Sequence, residues 1–219
     1  MTPLDICIDI SDAQGPPNPP IDWKAVYTSG IRIAFIKALE GNGLSYPTWK
    51  SQSIGARAAG IMVVPYFFLR PVDPVAAVAH FKTVTGLVSG MPFALDWEGR
   101  ASQTCTAQIA ETIGLGLEKI SGRTPVGYWG NPGSTPAQPT NIMQTWDRWI
   151  PRYPQVPQPS NFAALSATNK AKQPPGSLFW QYTSNGTIPG VKGSVDRSVW
   201  LGTGYQLNAW FATGARPQG

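Results

Sequence analysis

The chain has 219 residues, a formal net charge of +5 and a pI near 9.3. Hydrophobic residues make up 42%, aromatics 11% and charged residues only 13%, which excludes a disordered chain, because such a chain carries fewer rings and more charge. A single domain of this length buries roughly 70% of its unfolded surface, so neither a metal nor a disulfide is needed to hold a core.

In chain order, LDICIDI (4–10), IRIAFIK (31–37), IMVVPYFFL (61–69), MPFALD (91–96) and TPVGYW (124–129) are short apolar runs and are predicted as strands. Helix-like stretches fall between them, near 21–29, 49–59, 72–89 and 104–121. The last is the clearest, with Ile109, Ile113, Leu117 and Ile120 at helical spacing. Strands alternating with helices imply a parallel sheet built of βα units. After residue 130 Pro and Gly cluster and helix signals fade, leaving three aromatic runs: TWDRWIP (145–151), LFWQYTS (178–184) and SVDRSVW (194–200). Five βα units followed by three further strands close an irregular TIM-like (β/α)5(β)3 barrel, an α/β single domain expected over residues 1–210 with a loose tail at 211–219.

The basic residues are dispersed, which disfavours nucleic acid as a partner; attraction to an anionic bacterial envelope fits the charge better. There is one histidine, His80, in a helical stretch, so zinc hydrolases and Ser-His or Cys-His enzymes are disfavoured and no metal is expected. Cys7 and Cys105 are expected as free thiols. No run of 18 apolar residues exists to cross a membrane, and no secretory signal opens the chain as given.

Only 12 residues are acidic, and four of them sit at the ends of apolar runs: Asp9, Asp96, Glu98 and Asp196. Carboxylates in such places are costly unless used. Asp96 and Glu98 are two apart, so on a strand they share a face and project into the mouth at the C-terminal end of the barrel. Crowded carboxyls do not all ionise, which leaves a proton near neutral pH; one acid and one carboxylate suit glycosidic cleavage. Tyr66, Phe68, Tyr128, Trp129, Trp149, Trp180 and Tyr182 lie near strand ends and together suggest a groove for sugar rings.

These residues carry a resemblance. IDISDAQG (8–15), IDW (21–23), GIRIAFIKALEG (30–41), AAGIMVVPYFFLRP (58–71), FALDWEG (93–99), TPVGYWGN (124–131), WIPRYP (149–154) and FWQYTSNGTIPGVKGSVDRSVW (179–200) follow one another as in glycoside hydrolase family 25, the Chalaropsis-type lysozymes. The resemblance implies a (β/α)5(β)3 barrel and a cofactor-free N-acetylmuramidase. It would cut the β-1,4 bond from N-acetylmuramic acid to N-acetylglucosamine in bacterial peptidoglycan glycan strands. It further implies Glu98 as general acid, Asp96 as its partner carboxylate, Asp9 and Asp196 as further acids of the mouth, and Tyr66, Tyr128, Trp180 and Gln181 as groove residues. Asp96 acts either as nucleophile or by orienting the substrate's N-acetyl group; both routes stay open here. Two departures stand out: Phe67 where the family often has His, which predicts a missing polar contact in the groove, and Asp12 in a proline-rich loop where His or Asn is usual. The expected setting is a monomer acting on the cell wall, as a phage endolysin released through the membrane or as a secreted enzyme freed of its leader. The competing reading is a non-catalytic peptidoglycan-binding barrel of a virion or envelope protein.

Overall fold

A computed structural model describes residues 3–16, 18–41, 44–99, 103–130 and 136–217. Pro17 of the proline-rich loop, Asn131 of TPVGYWGN and residues 218–219 of the tail lie outside these. The elements run β1 (Leu4–Ile10), α1 (Trp23–Thr28), β2 (Ile33–Glu40), β3 (Leu44–Ser45), α2 (Trp49–Ala58), β4 (Met62–Phe68), α3 (Pro74–Thr85) and β5 (Ala94–Asp96). They continue as α4 (Ala107–Ser121), β6 (Val126–Tyr128), β7 (Asp147–Pro151), α5 (Ala167–Lys170), β8 (Phe179–Gly186), β9 (Val195–Trp200) and α6 (Gly204–Thr213). Three of these helices start where the sequence provides a cap. The Asp22, Asp73 and Thr106 side chains accept backbone N–H groups at the starts of α1, α3 and α4, and Pro74 opens α3, where its missing N–H costs nothing.

The strands close on themselves in the order β1-β9-β8-β7-β6-β5-β4-β2, with β2 returning to β1 and β3 hanging outside on β2. All barrel strands are parallel except β9, which is antiparallel to both of its neighbours. This is the single-domain α/β barrel expected, with one refinement: helices α1, α2, α3 and α4 follow β1, the β2–β3 pair, β4 and β5, whereas described residues after β6 form only short helical turns before β8.

Side-chain alternation sorts the core into shells. Cys7, Ile33, Phe35, Val64, Ala94, Val126, Trp149 and Phe179 point inward and fill the barrel. Phe35 stacks on Trp149 with ring centres 4.1 Å apart, and Phe179 meets Phe35 edge-on. Ile8, Ala34, Ile36, Phe67 and Leu95 point outward against the helices. A third, smaller cluster holds Phe162, Leu165, Trp180, Tyr182 and Val199 outside the barrel. Cys7 and Cys105 are buried free thiols, and His80 is half-buried on α3.

The C-terminal stretch corrects the expected loose tail. Helix α6 runs across residue 210, with the buried Trp210 packed on Phe179 and Trp200 at the floor of the barrel. Trp210 Nε1 donates to Asp147 Oδ2 at 2.7 Å, and Arg216 Nε donates to Asp147 Oδ1 at 2.5 Å. Arg123 adds donors to the Trp210 and Phe211 carbonyls. The helix plugs the end of the barrel opposite the mouth, so residues 204–216 belong to the barrel domain.

Candidate active site

The mouth is built from inward-facing residues near the C-terminal ends of the parallel strands. Asp9 ends the inward row of β1, Lys37 precedes a bulge in β2, Tyr66 and Phe68 end the inward row of β4, Asp96 that of β5 and Tyr128 that of β6. Asp196 arrives differently from the expectation: it lies at the start of β9, not at a strand's end. Because β9 runs antiparallel, its beginning faces the mouth, and Asp196 pairs directly across from Asp9. Glu98, two residues beyond Asp96, is half-buried. Its charge acts on Asp96, Asp196, Tyr128 and Tyr153, so the structure brings all four acids into one electrostatic neighbourhood.

Gln181 is the hub. Its side chain points inward from β8 and is 1% exposed. Its Nε2 donates to Asp9 Oδ2 at 2.9 Å and reaches Asp196 Oδ2 at 3.5 Å. Its Oε1 accepts from Tyr128 Oη at 2.8 Å and Tyr153 Oη at 2.5 Å. The two carboxyls fix the amide orientation, since the nitrogen can only donate.

Burial raises Asp9 well above the usual carboxylate range, and the charge of Asp196 raises it further. Asp196 is pushed up to about 6, by burial first and then by Glu98, while a hydrogen bond from Asp9 holds it down. The proton of this pair therefore resides on Asp9 and points to Asp196. Asp96 is raised by burial and then by Glu98, with Lys37 opposing both. Its Oδ1 is closed to solvent and has no hydrogen-bond partner among the described residues. Tyr66 feels Asp9, Asp96 and Asp196 together, after burial, and its hydroxyl stays protonated.

A cationic flank lies beside Asp96. Lys37, 9% exposed, sits against the rings of Phe68 and Tyr46 and pairs with Glu40 at 2.5 Å. Arg70 also pairs with Glu40, and Tyr46 Oη donates to it at 2.6 Å. Burial alone raises Glu40, but these donors outweigh it and bring it down to about 2. Among the described residues, no group of three or more His, Cys, Asp or Glu is placed to hold a metal ion.

Several expected groove residues lie elsewhere. Gln181 faces inward, so Trp180 and Tyr182 on either side of it must face outward. Both are fully buried in the outer cluster, with Trp180 Nε1 donating to the Arg152 carbonyl and Tyr182 Oη to Asp5 Oδ1. Trp129 folds back outside the barrel over Gly127: a Cβ on Gly127 would sit 1.6 Å from the Trp129 ring. There it packs edge-on against Trp97 and Trp146. Trp149 lies beneath the mouth as part of the barrel filling, its Nε1 donating to Ser198 Oγ at 3.0 Å. Tyr66, Phe68, Tyr128 and Gln181 remain at the mouth. Phe67 also corrects an expectation: it faces outward and stacks on Phe81 of α3, so a histidine there would not reach the groove. Tyr153, Lys37, Glu40 and Arg70 were not singled out from the sequence. Tyr153 lies within the quoted WIPRYP run, and Lys37 was legible as a lone cation inside an apolar strand.

The arrangement is a glycoside-hydrolase barrel with an acid-lined mouth. The family model of Glycosyl hydrolases family 25 matches residues 8–191, and the chain belongs to that family. It is 28% identical over 192 residues to the autolytic lysozyme of Clostridium acetobutylicum, covering 86% of this chain and 53% of that enzyme. The chain thus spans about half the length of that relative. Lysozyme M1 of Streptomyces globisporus is 28% identical over 222 residues, covering 92% of this chain and 69% of that protein. Among solved structures, a muramidase from Trichobolus zukalii superposes with a TM-score of 0.74 at 23% identity, covering 98% of this chain and 100% of that one. The bacterial lysozyme of Streptomyces coelicolor superposes at 0.72 and 23% identity, covering 98% and 99%. At these identities the superpositions speak for the fold.

Proposed function

We propose that the chain is an N-acetylmuramidase that hydrolyses the β-1,4 bond between N-acetylmuramic acid and N-acetylglucosamine in peptidoglycan. The observation that carries this reading is the mouth lined by four acids, with Glu98 two residues beyond Asp96 and its charge acting on both Asp96 and Asp196. In this reading a substrate acetamido N–H donates to the Asp96 carboxylate, a charge-assisted hydrogen bond. That hydrogen bond favours ionised Asp96 and leaves the proton of the Asp96–Glu98 pair on Glu98. Glu98 then protonates the leaving glycosidic oxygen as the bond breaks. The acetamido oxygen, aligned by Asp96, stabilises the oxocarbenium-like carbon, and water adds to that carbon while returning its proton to Glu98.

The test is digestion of purified walls with mass spectrometry of the soluble products. Fragments ending in reducing N-acetylmuramic acid are expected. Wall binding without new reducing ends would replace this reading with that of a binding barrel. No described helix is long and apolar enough to cross a membrane.

Lys37 offers a finer check. It opposes the rise of Asp96, so Lys37→Met removes a cation and lets the carboxyl protonate at higher pH. The acid limb of the kcat/KM profile should move up by about one pH unit. An unmoved limb would detach Lys37 from Asp96.

A further inference from the structure

Gln181 spends every hydrogen-bonding valence of its side chain inside the mouth. An amide has two N–H donors and one oxygen with two lone pairs. Here the donors face Asp9 and Asp196, and the oxygen accepts from the Tyr128 and Tyr153 hydroxyls. Turning the amide over would set its oxygen against a carboxylate, so the orientation has one solution. The amide meets Asp9 at 2.9 Å but Asp196 only at 3.5 Å. The bond to Asp196 is therefore the one that a small swing of the amide would break.

The two tyrosines are held differently. Tyr128 closes β6, and its ring packs edge-on to Trp149 with centres 4.7 Å apart, so the barrel filling places it. Tyr153 lies two residues past the end of β7, outside any regular element, and is half-buried. Its neighbour Arg152 locks it to β8. The Arg152 N–H donates to the Gln181 carbonyl at 2.9 Å, and Trp180 Nε1 donates to the Arg152 carbonyl at 2.7 Å. The segment carrying Tyr153 is thus registered on the same residue that its hydroxyl contacts. That hydroxyl keeps the proton it donates, because burial and then the charges of Asp196 and Asp9 push its ionisation up.

We propose that Tyr153 is a positioning residue, which acts through Gln181 to hold the Asp9–Asp196 pair in the arrangement that keeps one proton and one charge between them. Its effect on turnover rests on the muramidase reading of the mouth; its effect on the pair does not. N–H groups aimed at a carboxylate favour the charged form. Loosening the amide therefore makes the pair hold its protons more tightly, and its first ionisation moves to higher pH. The other groups facing the pair are Asp96 on β5, Glu98 beyond it, the Tyr66 hydroxyl on β4 and the Cys7 thiol on β1, with Lys37 on β2 acting through Asp96. All of them stay in place when only the Tyr153 hydroxyl is removed.

The experiment follows the aspartate carboxyl carbons by ¹³C NMR against pH in the wild type and in Tyr153→Phe, which keeps the ring and loses the donor. The first ionisation of the pair should rise by about 0.5–1 pH unit. On purified walls kcat should fall about 3- to 10-fold, the range expected for one lost hydrogen bond, with KM unchanged. A second variant, Gln181→Met, removes the link itself, and adding Tyr153→Phe to it should change neither the titration nor kcat further. An unmoved titration in Tyr153→Phe, or an equal effect of that substitution with and without Gln181, would overturn the proposal. A raised KM at unchanged kcat would make Tyr153 a sugar contact and overturn it as well. If Gln181→Met did not fold, the titration of Tyr153→Phe would decide alone. If the wild-type chain released no reducing ends, the muramidase reading would fail, while the titration would still decide the role of Tyr153.

Discussion

Glu98→Gln should lower kcat on peptidoglycan about 10²- to 10⁴-fold, the usual worth of a general acid. Glutamine keeps the size and the hydrogen-bonding oxygen of glutamate but has no proton to give to the leaving oxygen. Glu98 is half-buried in the segment after β5 and is not part of the barrel filling, so the variant should fold and melt much as the parent does. Binding of glycan should survive, because the groove residues Tyr66, Phe68 and Tyr128 are untouched. The measurement is release of reducing ends from purified walls, with thermal melting and wall co-sedimentation as controls. Wild-type turnover by Glu98→Gln would remove Glu98 from the chemistry.

Asp196→Asn should move activity and stability in opposite directions. Asp196 titrates at about 6 in the fold against an ordinary 3.8. A carboxyl raised on folding stabilises the native state fully below its unfolded pKa, and that contribution is lost as pH climbs through the folded value. The parent therefore forfeits stability between about pH 4 and pH 6, amounting to about 2–3 kcal/mol from the size of the shift. Asparagine carries no such penalty, and it also relieves Asp9 of a like charge. The melting temperature should rise by about 5–10 °C at pH 7 and stay nearly level at pH 4. Activity should fall about 100-fold or more, since the proton-sharing pair behind the reacting centre is broken. Equal melting of parent and variant at pH 7 would show that Asp196 carries no buried charge.

Most of the barrel was legible from the sequence because its signal is local. Apolar runs such as Leu4–Ile10 and Met62–Phe68, each followed by a capped helix, announce βα units without knowledge of distant contacts. The convergence of Asp9, Asp96 and Glu98 followed from the same rule, since strand ends of a parallel barrel share one face. Asp196 was found for an incomplete reason, because strand direction cannot be read from composition and β9 is reversed. The aromatics misled for a different cause. A tryptophan serves equally as sugar platform and as core, and neighbours along a strand face opposite ways. Once Gln181 is inside, Trp180 and Tyr182 cannot be. Trp129 escaped even that rule, since it lies past the end of β6 and turns back over a glycine. Helix α6 was missed because only its pairing with Asp147, from a remote part of the chain, shows that it plugs the barrel.

The reversal of β9 has a practical outcome for anyone joining this chain to something else. The strand carries the polypeptide from the acidic rim down to the far side, where Trp200 lies opposite Leu4 and α6 docks. The described residues near both ends, Leu4 and Arg216, consequently lie at the base. A tag, an anchor or a second module fused at either one would trail behind the molecule and leave the approach of a bulky, cross-linked polymer unobstructed.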